Sequence, residues 1–192
     1  MDIPSKTILL TGATGYVGGR LLPALLEHGH AVRALARQPA RAQLPAAVEV
    51  VGRDVIKGQG LEAALDGVDV AYYLVHSLGQ APEFEETDRR AAKAFGAACF
   101  AAGVSRIVYL GGLTSPHEVL SPHLASRAEV GQLLLDSGVP TAALQAAVII
   151  GSGSASFEMV RYLAERLPFM IAPMACSRMP KWKLRPAAAV EE

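Results

Sequence analysis

Gly12, Gly15 and Gly18 stand three apart in "TGATGYVG", directly after the apolar run "TILLT" and directly before "YVGGRLLPALLEHG", a stretch of helical period. Glycines at such a junction suit an approaching phosphate. The first permits a tight turn, the second keeps the approach clear of side chains, and the third lets the helix pack close to the strand. The helix start adds free N–H groups and a partial positive charge. The chemistry that fits is binding of a dinucleotide diphosphate, with Thr14, Tyr16 and Val17 flanking it.

The end of the next strand, "AVRALARQP", bears on which dinucleotide. An acidic residue there would grip the ribose hydroxyls of NAD. This chain has Ala36 and Arg37, and an arginine pairs with a 2′-phosphate that a carboxylate would repel. NADP(H) is therefore the preferred cofactor, with NAD(H) open, and Arg33 and Arg41 are near enough in sequence to assist. Asp54 and Val55 in "GRDV" follow the third strand at the adenine edge. Val75, His76 and Ser77 end the fourth strand and are expected to line the cofactor channel, although a structural role for His76 is the commoner fate of such a histidine.

These residues need elements to hold them. Short β-branched runs alternate with longer Ala/Leu runs, which predicts βαβ units around a parallel sheet. Strands are expected at 7–11, 31–36, 48–51, 70–75, 106–110 and 142–149, and helices at about 17–28, 60–65, 84–102, 121–137 and 156–167. Gly29, Gly67, Gly103 and Gly138 follow helical runs, where a left-handed closing residue is expected. The helix "PEFEETDRRAAKAFGAACFAAG" begins acidic and turns basic, a pattern that reads as a solvated face matched to the helix dipole. The result is an α/β fold of the Rossmann type, a doubly wound parallel sheet of order 3-2-1-4-5-6 with helices on both faces. Its ligand crevice lies beyond the strand C-termini, where the winding reverses.

Composition agrees. A chain of 192 residues suffices for one sizeable core, and 51% hydrophobic residues exclude a disordered one. Residues 1–168 read as the dinucleotide-binding domain. Residues 169–192, with three prolines and no period, read as an irregular tail, a truncated substrate lobe being one explanation. Zero net charge gives no general attraction for nucleic acid, and no apolar run is long enough for membrane insertion, so a soluble cytoplasmic protein is expected. Cys99 and Cys176 lack metal-ligand spacing, no metal site is expected, and Cys99 reads as a buried hydrophobe.

Taken together, "TGATGYVG", "RALAR", "GRDV", "DVAYYLVHS", "RIVYLGGL" and "AAVIIGSGSASFEMVRYL" resemble the atypical short-chain dehydrogenase/reductases. Within them the chain is most similar to the NAD(P)H-binding branch near the NmrA-like regulators and the complex I subunit relatives, over about Lys6 to Pro168. In active members of that superfamily a Tyr-x-x-x-Lys pair supplies the proton, and a Ser or Thr at the end of the fifth strand orients the substrate carbonyl. On the matching positions this chain has His123 for the tyrosine, Arg127 for the lysine, and Gly111 and Gly112 at the serine. The resemblance then implies His123 as a proton shuttle and Arg127 as the group on the nicotinamide ribose, with Thr114 or Ser115 replacing the serine. An arginine one turn away favours a neutral imidazole over a strong general acid.

Two functions compete at this point. One is an NADP-dependent oxidoreductase on a small carbonyl substrate; the other is a non-catalytic NAD(P)H-binding redox sensor or regulatory module, with a protein partner or homo-oligomer left open. Nucleotide-sugar epimerase or dehydratase chemistry is weaker, because the tyrosine and serine are missing.

Overall fold

The computed structural model describes residues 4–52, 54–55, 58, 60–76, 83–114, 120–147 and 149–166. The chain divides into two compact units, Met1–Ile149 and Ile150–Glu192. The first runs β1 (Thr7–Thr11), α1 (Tyr16–Glu27), β2 (Ala31–Ala36), a 3-10 turn at Pro39–Arg41, β3 (Glu49–Gly52), α2 (Leu61–Leu65), β4 (Val70–Tyr73), α3 (Glu83–Ala101), β5 (Arg106–Gly112), α4 (Pro122–Leu135) and β6 (Thr141–Ala146). The second holds α5 (Ala155–Arg166), whose Glu158 accepts from the Gly153 N–H and pairs with Arg161. The tail at 169–192 and Cys176 lie outside the described residues.

All six strands are parallel, in the order β3-β2-β1-β4-β5-β6. The fold expected from the sequence is the fold observed. Alternation along β1 explains its two cores: Ile8 and Leu10 face Leu22 and Leu25 of α1, while Leu9 faces Phe95 and Cys99 of α3. Val130 and Leu134 of α4 and Leu61 and Leu65 of α2 complete the larger core. Cys99 is fully buried there, which pushes its thiol up to about 12 and leaves it unreactive.

Gly29, Gly67, Gly103 and Gly138 have φ of 76°, 66°, 71° and 83°, as helix-closing glycines should. Several boundaries differ from expectation. β4 stops at Tyr73 because the next ladder position is taken by a side chain. The Thr11 hydroxyl donates to the Tyr72 carbonyl at 2.8 Å and accepts from the Leu74 N–H at 3.0 Å. β5 instead continues through Gly111 and Gly112, which pair with Gln145 and Ala146. β6 ends at Ala146 rather than 149, and as an edge strand it leaves Leu144 55% exposed.

Thr11 is fully buried, so its hydroxyl is needed where it stands. Thr11→Val keeps the shape and strands one donor and one acceptor, a cost of about 1–3 kcal/mol. The expected result is a melting midpoint lower by several degrees, each kcal/mol being worth roughly 2–4 °C at this size. An unchanged midpoint would show that the bridge contributes nothing.

Candidate functional site at the C-terminal edge of the sheet

The glycine turn is built by steric necessity. Gly12 has φ of 71°, which L side chains rarely adopt. A Cβ on Gly18 would lie 2.2 Å from the Gly12 carbonyl oxygen, so only glycine lets α1 begin this close to the turn. The Gly15 N–H closes the turn on the Gly12 carbonyl at 2.9 Å. Gly15 is the N-cap of α1, and the first turn carries neither a side-chain cap nor an acidic residue. Thr14 and Gly15 are exposed, and Tyr16 and Val17 half-buried, around an uncapped positive helix end. This is a cradle that a diphosphate fits and a side chain does not.

Arg37 is exposed just past β2, and Arg41 is exposed on the 3-10 turn beyond it. Arg33 is engaged elsewhere, which corrects the expectation that it assists them. Its Nε meets Glu49 at 2.7 Å, and its Nη1 donates to the carbonyls of Ala64 and Asp66 at 2.8 and 2.9 Å. It staples α2 to β2 and β3. Asp54 is half-buried, while Val55 is 5% exposed and packs in the larger core. Ser77 and Ser115 lie outside the described residues.

Along the same edge, a Cβ on Gly12 would sit 3.0 Å from the Leu74 carbonyl oxygen. The phosphate turn therefore abuts the segment that carries Val75 and His76. His76 meets His123 edge-on, ring centroids 5.7 Å apart, and Phe84 lies 6.2 Å from His123. Arg127, one turn after His123, donates from Nη2 to the Leu110 carbonyl at 2.6 Å. The Tyr109 hydroxyl donates to the Arg127 carbonyl at 2.8 Å and so fixes this turn of α4 against β5. Gly111 and Gly131 leave room for the Tyr109 ring: Cβ atoms there would stand 2.9 and 3.1 Å from it.

The structure thus brings His123 and Arg127 together with His76. Thr114 leans the other way, its hydroxyl 3.4 Å from Gln145 Nε2 on β6, across β5 from His76. At Gly112, where the family has a serine, a Cβ would lie 2.6 Å from Leu124 Cδ2, so a leucine methyl occupies the space a side chain there would need.

Two residues escaped the reading of the sequence. Asp88 belongs to the charged run read as solvated, yet it is 4% exposed, with the Ser126 hydroxyl 3.5 Å away. Its signal was there: Phe84, Asp88, Ala91, Ala92 and Phe95 form one buried stripe of α3 at helical spacing. Thr11, the one polar residue besides Thr7 in an apolar strand, is the other.

His76 is held below its ordinary 6.5, first by partial desolvation, then by the charge of Arg127 and by His123, against a smaller opposing pull from Asp88. The unfolded chain then binds this proton at higher pH than the folded one. Stability from His76 is full above about pH 6.5 and is lost as pH falls through the lower folded value. His76→Gln is expected to flatten the loss of urea resistance between about pH 7.5 and 5.5; an identical slope in the variant would remove His76 from that loss.

An uncapped glycine turn after β1 and a cluster beyond β4 and β5 define a dinucleotide-binding α/β domain. Residues 12–156 match the family described as NAD(P)H-binding, and the chain belongs to that family. It is similar to 3-beta-hydroxysteroid dehydrogenase of Mycolicibacterium neoaurum, 31% identical over 86 residues, 43% of this chain and 24% of that one. The 3 beta-hydroxysteroid dehydrogenase/Delta 5-->4-isomerase of Mycobacterium tuberculosis matches at 32% over 86 residues, 43% and 23% of the two chains. Among solved structures, MoeE5 in complex with UDP-glucose and NAD aligns with TM-score 0.69 and 23% identity, over 83% of this chain and 60% of that one. UDP-N-acetylglucosamine 4-epimerase from Bacillus cereus gives TM-score 0.66 and 19% identity, over 84% and 62%. The match thus takes in about a quarter of the curated relatives and three fifths of the solved ones. The short-chain dehydrogenase/reductase resemblance holds for the fold and the nucleotide-binding domain. No described helix is long and apolar enough to cross a membrane.

Proposed function

We propose that this chain is an NADP-dependent oxidoreductase acting on a small substrate. The observation that supports the reading is how closely the backbone at Gly12 approaches Leu74, where an added Cβ would stand 3.0 Å from the carbonyl oxygen, so that the glycine turn adjoins the segment leading to His76, itself 5.7 Å from His123. The turn at Gly12, Gly15 and Gly18 and the start of α1 would hold the diphosphate. Arg37, with Arg41, would hold the 2′-phosphate, and Asp54, Val75, His76, Ser77 and the backbone of Val55 would line the rest of the cofactor. When bound, the nicotinamide supplies or accepts the hydride. Arg127 would orient the adjoining ribose, and His123, exposed to solvent, would exchange the proton at its ring nitrogen. Thr114 remains the candidate hydroxyl for the substrate, if its link to Gln145 yields. The relatives named as dehydrogenases favour redox chemistry over epimerisation.

A second reading, a non-catalytic NAD(P)H-binding module, is favoured by the leucine that fills the space at Gly112. Fluorescence titration with NADPH and NADH, followed by a carbonyl and quinone panel, separates the two. We expect tighter binding of NADPH and its oxidation by at least one acceptor. Tight binding with no turnover on any acceptor would establish the module instead.

A further inference from the structure

We propose that the cluster of His76, His123 and Arg127 recognises a carboxylate on the substrate. The inference rests on the reading above, in which this edge faces the cofactor, and adds the substrate class.

Three segments converge there: the end of β4 brings His76, the first turns of α4 bring His123 and Arg127, and the start of α3 brings Phe84. Each of the three side chains can donate a hydrogen bond. His76 and His123 are exposed, and Arg127 has five N–H donors, of which Nη2 is anchored to the Leu110 carbonyl. That anchor holds the guanidinium in place, no acidic partner for it is found among the described residues, and the N–H groups left over from the anchor and the ribose can take a carboxylate. The acid whose charge acts on His76, Asp88 of α3, is buried, with the Ser126 hydroxyl 3.5 Å away. A metal ion is a poor alternative: among the described residues no group of three or more His, Cys, Asp or Glu could hold one, and Arg127 would repel it. Phe84, 7% exposed, backs His123 at 6.2 Å between ring centroids, and His123 in turn meets His76 at 5.7 Å.

Charge makes binding proton-linked. Arg127 and His123 of α4 oppose a proton on His76, and Asp88 of α3 favours one. A carboxylate bound beside Arg127 offsets the opposition, so His76 takes up a proton as the ligand binds.

The test is histidine-resolved NMR of the full chain, alone and with NADPH, titrated with benzoate and with benzamide as the neutral counterpart. Benzoate is expected to bind at least about tenfold more tightly near pH 6, to weaken as pH rises towards about 8, and to raise the titration midpoint of His76. His123→Gln, on the exposed first turn of α4, and Arg127→Met should each lose most of the preference, with far-UV circular dichroism unchanged in the first. Equal binding of benzoate and benzamide, or a His76 midpoint that benzoate leaves in place, would overturn the proposal. NADPH fluorescence run in parallel keeps the two readings apart: failure to bind NADPH removes the cofactor reading, while the benzoate titration of the chain alone still decides the pocket.

Discussion

Gly18→Ala is expected to weaken dinucleotide binding by about a hundredfold, roughly 2.7 kcal/mol. The reason is a collision of backbone with side chain: the new methyl would lie 2.2 Å from the Gly12 carbonyl oxygen, where no rotamer change relieves it. Either the turn opens or α1 moves away, and both displace the N–H groups that face the phosphates. Alanine's better helix propensity, about 1 kcal/mol, works in the opposite direction and is outweighed by an overpacking cost of about 1–3 kcal/mol together with the lost geometry. The neighbouring residue supplies the control. A Cβ on Gly19 would meet only the Ala13 carbonyl oxygen, at 3.6 Å, an ordinary contact. Gly19→Ala should leave binding unchanged and raise stability by up to about 1 kcal/mol. Isothermal titration and urea melts of the two variants read both effects. Equal affinity of Gly18→Ala and the parent would show that the ligand does not sit on this turn.

Arg37→Asp carries the second large effect. The substitution removes a cation that can make charge-assisted hydrogen bonds to a 2′-phosphate, each worth about 1.5–3 kcal/mol, and adds a charge of the same sign as the phosphate. NADPH affinity is expected to fall at least about thirtyfold, while NADH affinity holds or rises because aspartate can accept from the ribose hydroxyls. The preference should therefore invert, and the parent's NADPH affinity should weaken with salt more than its NADH affinity. A ratio of the two affinities that is the same in parent and variant would disprove the assignment of Arg37.

How far the sequence reveals the site depends on the span of the interaction. Gly12, Gly15 and Gly18 were legible because their constraint is local: one turn, one helix start, a fixed spacing. The parallel sheet and its order followed from the alternation of short and long apolar runs. His76 beside His123 was not legible, since no spacing joins the end of the fourth strand to the start of α4 until α3 and α4 dock on the sheet. Asp88 was misjudged for a similar reason. Its neighbours in sequence are charged, whereas its neighbours on the helix face are Phe84 and Ala92, and only packing against α4 decides which set matters. Arg33 looked available for a phosphate because Glu49 and the end of α2 are remote in sequence and close in space.

The two halves of the site also differ in how soon the chain can assemble them. The phosphate turn needs only β1, α1 and β2, a contiguous stretch whose small core of Ile8, Leu10, Leu22, Leu25 and Val32 closes over short loops. The histidine pocket needs β4, α3 and α4, and its residues meet only after much longer loops have been closed, at greater entropic cost. The cradle is thus the early, local part of the fold, and the pocket is a late product of long-range docking. Damage to the docking of α4 can erase the pocket and leave a cradle that still forms.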